Sequence, residues 1–166
     1  MRTRIVSLLG GLLLIPCTAT AADVVRRAAG NFPIATSVSV PANAEWTLLS
    51  GTLADVADPT APAGSVERLG DTETQAASVL AKLGKALEAA GLGFGDVVKM
   101  NVYLVADPRK GPGMDFDGLM RAYSRHFGTQ AQPALPARTT VQVAGLPLPG
   151  ALVEIEVIAA KVATRP

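Results

Sequence analysis

The 166-residue chain carries 15 Lys and Arg against 14 Asp and Glu, with a single cysteine and a single histidine. Near-neutrality offers no global attraction to nucleic acid or anionic lipid, and a lone His126 excludes a multi-histidine metal site within one chain. Seven aromatic residues leave little for a base-stacking platform.

Residues 1–21 read as a secretory signal: Arg2 and Arg4, an uncharged run from Ile5 to Ile15, then Ala19-Thr20-Ala21. The run is shorter than the roughly 20 apolar residues a bilayer span needs. Leu14-Ile15-Pro16-Cys17 faintly suggests a lipoprotein box, but Pro16 stands where a small residue is expected, and Arg2 and Arg4 are not adjacent as a twin-arginine signal requires. The expectation is a periplasmic or secreted domain, residues 22–166, cleaved near Ala21 or Ala22 and free of the membrane afterwards. Cys17 leaves with the signal, so the domain has no thiol nucleophile or disulfide. Its remaining 13 basic and 14 acidic residues give a net charge of −1.

Phe32–Val40 and Glu45–Leu49 read as short strands about a turn at Pro41-Ala42-Asn43. Gly51–Gly70 is loop-like, punctuated by Pro59, Pro62 and Gly64. A helix then opens with Thr72 and Gln75 in capping-box spacing. It continues through Ala76, Val79, Leu80, Leu83, Leu87 and Ala90 at helical period and stops at Gly91. Val97–Val105 is a strand with apolar residues on both faces. Asp115–Phe127 is a second helix with the stripe Phe116, Leu119, Met120, Tyr123 and Phe127, and Ala137–Val143 and Leu152–Val162 are the last strands. The reading is one α+β domain, a mixed sheet with two helices packed on one face. The strands read as apolar on both faces, so the unmatched face needs a cover, and a sister subunit is the economical one.

Few constellations carry chemistry. Gly91-Leu92-Gly93-Phe94-Gly95 follows a helix and precedes a strand, the reverse of a dinucleotide fingerprint, so it reads as a helix stop and turn. Asp115-Phe116-Asp117 fits capping and the helix dipole better than a cation site. His126 reads as a surface residue at a helix end. Arg138 opens a strand with few charges nearby, where a rigid guanidinium can grip a carboxylate through two parallel hydrogen bonds; an ordinary edge-strand charge explains it equally. Glu154 and Glu156 share one strand face by period-two geometry. They could serve acid–base chemistry or simply form a polar face.

Leu135-Pro136-Ala137-Arg138-Thr139-Thr140-Val141-Gln142-Val143-Ala144-Gly145-Leu146-Pro147, followed by Val153-Glu154-Ile155-Glu156-Val157-Ile158-Ala159, resembles the C-terminal signature of the Rid family, the RidA/YjgF-type reactive-intermediate deaminases. Leu49-Ser50-Gly51, Gly91-Leu92 before Asp96-Val97-Val98-Lys99, and Tyr123 with Phe127 fit the same framework in the same order. The resemblance runs from about Pro33 to Val162. It implies a chorismate-mutase-like fold, a homotrimer with clefts between subunits, and hydrolysis of 2-imino and 2-enamino acids to 2-oxo acids and ammonia without metal or organic cofactor. It implies that Arg138 holds the substrate carboxylate and that Glu154 positions or activates water, with Glu156 as the alternative acid. Ser50, Gly51 and Thr140 would line the cleft, Thr140 where a cysteine is usual. The chain departs from the pattern at Ile34, where a tyrosine is frequent, and at Met120, where an asparagine is frequent. Both changes make the pocket more apolar and point to a larger or more apolar substrate. The alternatives are a non-catalytic module that captures small carboxylates, or an RNA-cleaving or translation-inhibiting member. The charge and scarce aromatics disfavour nucleic acid as a partner.

Overall fold

The computed structural model describes residues 23–163, so the expected leader at residues 1–21 lies outside the described residues. The six strands are β1 (Val25–Ala29), β2 (Phe32–Ser39), β3 (Ala44–Leu53), β4 (Val97–Leu104), β5 (Ala137–Gln142) and β6 (Val153–Val162). They form one mixed sheet in the order β1-β2-β5-β4-β6-β3, in which β5 runs parallel to β2 and β4 and the other pairs are antiparallel. The helices are α1 (Val66–Leu69), α2 (Thr72–Ala89) and α3 (Phe116–Tyr123).

Periodicity explains the core. Ala76, Val79, Leu80, Leu83 and Leu87 of α2 are all buried, as are Leu119, Ala122 and Tyr123 of α3. They meet Met100, Val102 and Leu104 of β4 and Val153, Ile155 and Val157 of β6 in one apolar cluster. The two long helices thus cover one face of the sheet, as the stripes predict.

The termini of α2 show local rules and a tertiary override. Gly91 takes φ +70°, and the Leu92 amide donates to the Leu87 carbonyl at 2.9 Å, closing the helix on a left-handed glycine. At the other end Asp71, not Thr72, is the cap, accepting from the Thr74 amide at 3.0 Å. Gln75 is not a capping-box partner. Its buried amide donates to the Gly70 and Gly150 carbonyls at 2.9 and 3.0 Å and accepts from the Leu152 amide at 2.8 Å. One side chain thereby ties α2 to the start of β6. Gln75→Leu leaves two carbonyls and an amide unpaired in the interior, so we expect a loss of about 2–4 kcal/mol in urea unfolding. A loss under about 0.5 kcal/mol would mean water replaces the amide.

Two elements escaped the pattern reading. α1 falls inside the expected loop, and β1 precedes the first expected strand. Strand β1 pairs with β2 and is further anchored by Arg26, whose guanidinium donates to the carbonyls of Val97, Leu135 and Gly95 at 2.8, 3.0 and 2.8 Å. Burial lowers its pKa, against the pull of Asp96. A side chain that reaches across the sheet to residues 71 and 109 positions away leaves no local signal.

The expectation that β4 is apolar on both faces needs correction. Away from the helices it presents Lys99, Asn101 and Tyr103, beside Glu154 and Glu156 of β6. Among the described residues, large exposed apolar side chains on that open face are Val141 on β5 and Trp46 and Leu48 on β3, the last 72% exposed, with Ile158 and Ala160 of β6 beside them.

Candidate functional site

Register assigns each candidate residue to a face. Met100 of β4 pairs with Arg138 and Val102 with Thr140, so Arg138 and Thr140 share the helix-covered face with those two core residues. Asn101 and Tyr103 pair with Glu156 and Glu154, which puts both acids on the open face. Arg138 and Glu154 therefore do not converge within one chain. Each belongs to a separate half-site.

The first half-site is a box around the guanidinium. Arg138 Cζ lies 4.3 Å from the centroid of the Tyr123 ring, 5.6 Å from Phe32 and 5.7 Å from Phe116. Phe32 and Phe116 are themselves stacked, 6.3 Å apart at 13°. The Tyr123 hydroxyl donates to the Pro33 carbonyl at 2.8 Å and its ring stacks on Phe127, so the floor of the box is fixed to β2 and to the helical layer. Cation–π attraction of about 0.5–2 kcal/mol per well-placed ring holds the charge there. Met120 completes the wall, its Sδ accepting from Arg138 Nη2 at 3.3 Å. Strand alternation from the Ala35–Ala137 pair places Ile34 on the same face.

What the box lacks is an acid. Among the described residues no carboxylate forms an ion pair with Arg138, and its buried Nη1 finds no hydrogen-bond partner; nor does the buried Oγ1 of Thr140. Burial lowers the Arg138 pKa, opposed by the Tyr123 hydroxyl, yet a guanidinium keeps its proton at any physiological pH. The same burial pushes Tyr123 up to about 12, against the pull of Arg138. A desolvated, unpaired cation with a free donor edge is the arrangement an incoming carboxylate satisfies.

The second half-site lies on the open face, at the irregularity in β3 where the register with β6 shifts between Leu49 and Thr52. Ser50 and Gly51 occupy this bulge. A Cβ on Gly51 would stand 2.0 Å from Glu154 Oε1, so the absence of a side chain there is what seats the carboxylate against the strand. Ser50 also lines a shallow cleft of about 320 Å³ with Leu48, Leu49, Glu156, Val157 and Ile158. The two acids differ. Glu156 Oε1 accepts from Asn101 Nδ2 at 2.7 Å and from the Tyr103 hydroxyl at 3.0 Å, a bond that raises the Tyr103 pKa. Among the described residues no side-chain hydrogen bond ties Glu154, which leaves it the freer group to handle a proton.

Two weaker sequence candidates take structural roles. Asp115 caps α3 by accepting from the Gly118 amide at 2.9 Å and pairs with Lys110 at 2.6 Å. His126 packs its ring on Phe94, 4.9 Å between centroids, and burial lowers its pKa. The Phe32 and Phe116 walls were not among the expected site residues. The spacing Phe116, Met120, Tyr123 on one helical face was the signal available, and it reads equally well as core.

A sequence profile of the endoribonuclease L-PSP family matches residues 29–161. The chain belongs to this family. Its Rid-type signature is thereby accounted for, and the α+β fold is shared by L-PSP-family neighbours of known structure. A Rid-family protein from Yersinia pestis superposes with a TM-score of 0.60 at 23% identity, covering 84% of this chain and 98% of that one. The structure of a candidate endoribonuclease from Thermotoga maritima gives 0.52 at 33% identity, covering 80% and 89%. Among curated relatives, protein DfrA of Myxococcus xanthus is 36% identical over 127 residues, 76% of this chain and 84% of its own. The mouse 2-iminobutanoate/2-iminopropanoate deaminase is 42% identical over 98 residues, 59% of each. The match spans less than two thirds of several of these relatives, including 64% of a Pyrococcus horikoshii RutC family protein.

Proposed function

We propose that the protein is a hydrolytic deaminase of 2-imino and 2-enamino acids, releasing 2-oxo acids and ammonia, and that it works as an exported homotrimer. The observation that carries this reading is the unpaired, aromatic-boxed Arg138. The similarity to the mouse deaminase supports the reaction class. The placement of Arg138 and Glu154 on opposite faces supports an assembly, since the two half-sites can form one cleft only between copies. Trp46 and Leu48, exposed on the open face, supply apolar area for such an interface.

In this scheme Arg138 accepts the substrate carboxylate on its free edge, and Ile34, Phe32, Phe116 and Met120 surround the side chain. An enamine first tautomerises to the imine. Glu154 takes a proton from water as the oxygen attacks the carbon of the protonated imine, giving a neutral carbinolamine. The acid returns that proton to nitrogen, the C–N bond breaks, and ammonia leaves as the hydroxyl loses its own proton through the carboxylate to the departing ammonia and the carbonyl of the 2-oxo acid forms. Protein chemistry suffices for every step. The apolar walls favour imino acids with larger apolar or aromatic side chains over the three- and four-carbon ones.

The test uses protein beginning at Ala22. Imino acids are generated in place by an amino-acid oxidase and trapped with semicarbazide. We expect loss of trapped imine with matching 2-oxo acid, faster for leucine- and phenylalanine-derived imines than for the alanine-derived one, from a species sedimenting as a trimer. Carboxylate binding with no acceleration across the panel would instead establish a non-catalytic binding module.

A further inference from the structure

Met120 stands between Arg138 and solvent. On one side its sulfur is the acceptor for Arg138 Nη2 at 3.3 Å. On the other, the residue lines an open cleft of about 460 Å³ with Asp117, Arg121 and Ser124. Among the described residues Nη1 has no partner and Nη2 has only a thioether, a weak acceptor. Met100, by contrast, is fully buried, and among the described residues Met114 accepts no hydrogen bond from the guanidinium.

We propose that Met120 is a reversible oxidation site whose sulfoxide closes the Arg138 anion site. The proposal rests on the carboxylate reading of Arg138. With hydrogen peroxide as the oxidant, the sulfur attacks one peroxide oxygen, the O–O bond breaks and water leaves. Sulfur is oxidised by two electrons and peroxide is reduced by two. The new oxygen is a strong acceptor, bonded to an atom already within hydrogen-bond distance of Nη2. It takes the donors that an incoming carboxylate needs, and it turns an apolar wall of the pocket polar. Methionine sulfoxide reductase removes the oxygen and reopens the site.

The experiment measures affinity for 4-methyl-2-oxopentanoate, the 2-oxo acid of the leucine-derived imine, by calorimetry before and after peroxide, with peptide mass mapping of each methionine, for wild type and Met120→Leu. Leucine keeps the volume and offers no sulfur. In wild type we expect sulfoxide at Met120, affinity at least tenfold weaker, and recovery after the reductase. Met120→Leu, whatever its own starting affinity, should hold that affinity through peroxide. Full conversion of Met120 with affinity unchanged would overturn the proposal alone, as would a Met120 that stays reduced while Met114 is oxidised. A Met120→Leu protein that loses affinity as wild type does would overturn it too. Absence of binding before any oxidation would overturn the carboxylate reading and the switch with it.

Discussion

Arg138→Ala should lower kcat/KM for imino-acid hydrolysis at least about 100-fold, because truncating one partner of a desolvated charge pair removes about 3 kcal/mol or more. The fold should survive. The native chain keeps Arg138 buried with a donor unsatisfied, an arrangement that opposes stability. Its removal relieves that desolvation while losing the packing against Tyr123, Phe32 and Phe116. These terms oppose, so urea unfolding should shift by no more than about 1 kcal/mol. Arg138→Lys should recover little, since an ammonium lacks both the planar fork and the face that stacks on three rings. Turnover within about threefold of wild type in either variant would remove Arg138 from the site.

Gly51→Ala should be nearly as damaging to turnover and should act through a different constant. Its new Cβ would meet Glu154 Oε1 at 2.0 Å, Cδ at 2.9 Å and Cγ at 3.2 Å, so the carboxylate must leave its seat. The end of a glutamate is flexible and Gly51 has no positive φ, so the stability change should stay under about 1 kcal/mol. We expect kcat to fall about 100-fold, toward the level of Glu154→Gln, consistent with the roughly 10²–10⁴-fold worth of a positioned general acid–base group. Affinity for 4-methyl-2-oxopentanoate should hold within about twofold, because Arg138 and not the Gly51–Glu154 seat holds the carboxylate. An unchanged kcat in Gly51→Ala with the carboxylate displaced would take the proton-handling role from Glu154. A loss seen in Glu156→Gln but not Glu154→Gln would pass that role to the other acid, now held by Asn101 and Tyr103.

Both variants follow from local sequence and tertiary placement together, and the two sources divide cleanly. Features set by neighbours within a few positions were legible. The stripe from Ala76 to Leu87 defined a buried helix face, Gly91 ended that helix, and alternation put Glu154 and Glu156 on one side of β6. Arg138 stood out because it is the one charged residue in a strand otherwise made of uncharged residues. The local rules rest on short-range geometry, 3.6 residues per turn and two per pleat, which a single sequence displays directly.

The tertiary structure decided whatever depended on partners far along the chain. Gln75 has capping-box spacing, yet its amide serves Gly150 and Leu152, more than seventy residues away. The polarity of the open face emerged only when Asn101 and Tyr103 met Glu156 across two strands. The aromatic box joins Phe32 of β2, Phe116 and Tyr123 of α3 and Arg138 of β5, four positions with no common period. The separation of Arg138 from Glu154 is the clearest case. The two lie near one another in sequence, on successive strands, and residue spacing allows them to meet. The sheet forbids it within one chain, because strand register fixes the face of every side chain and a backbone layer lies between the two.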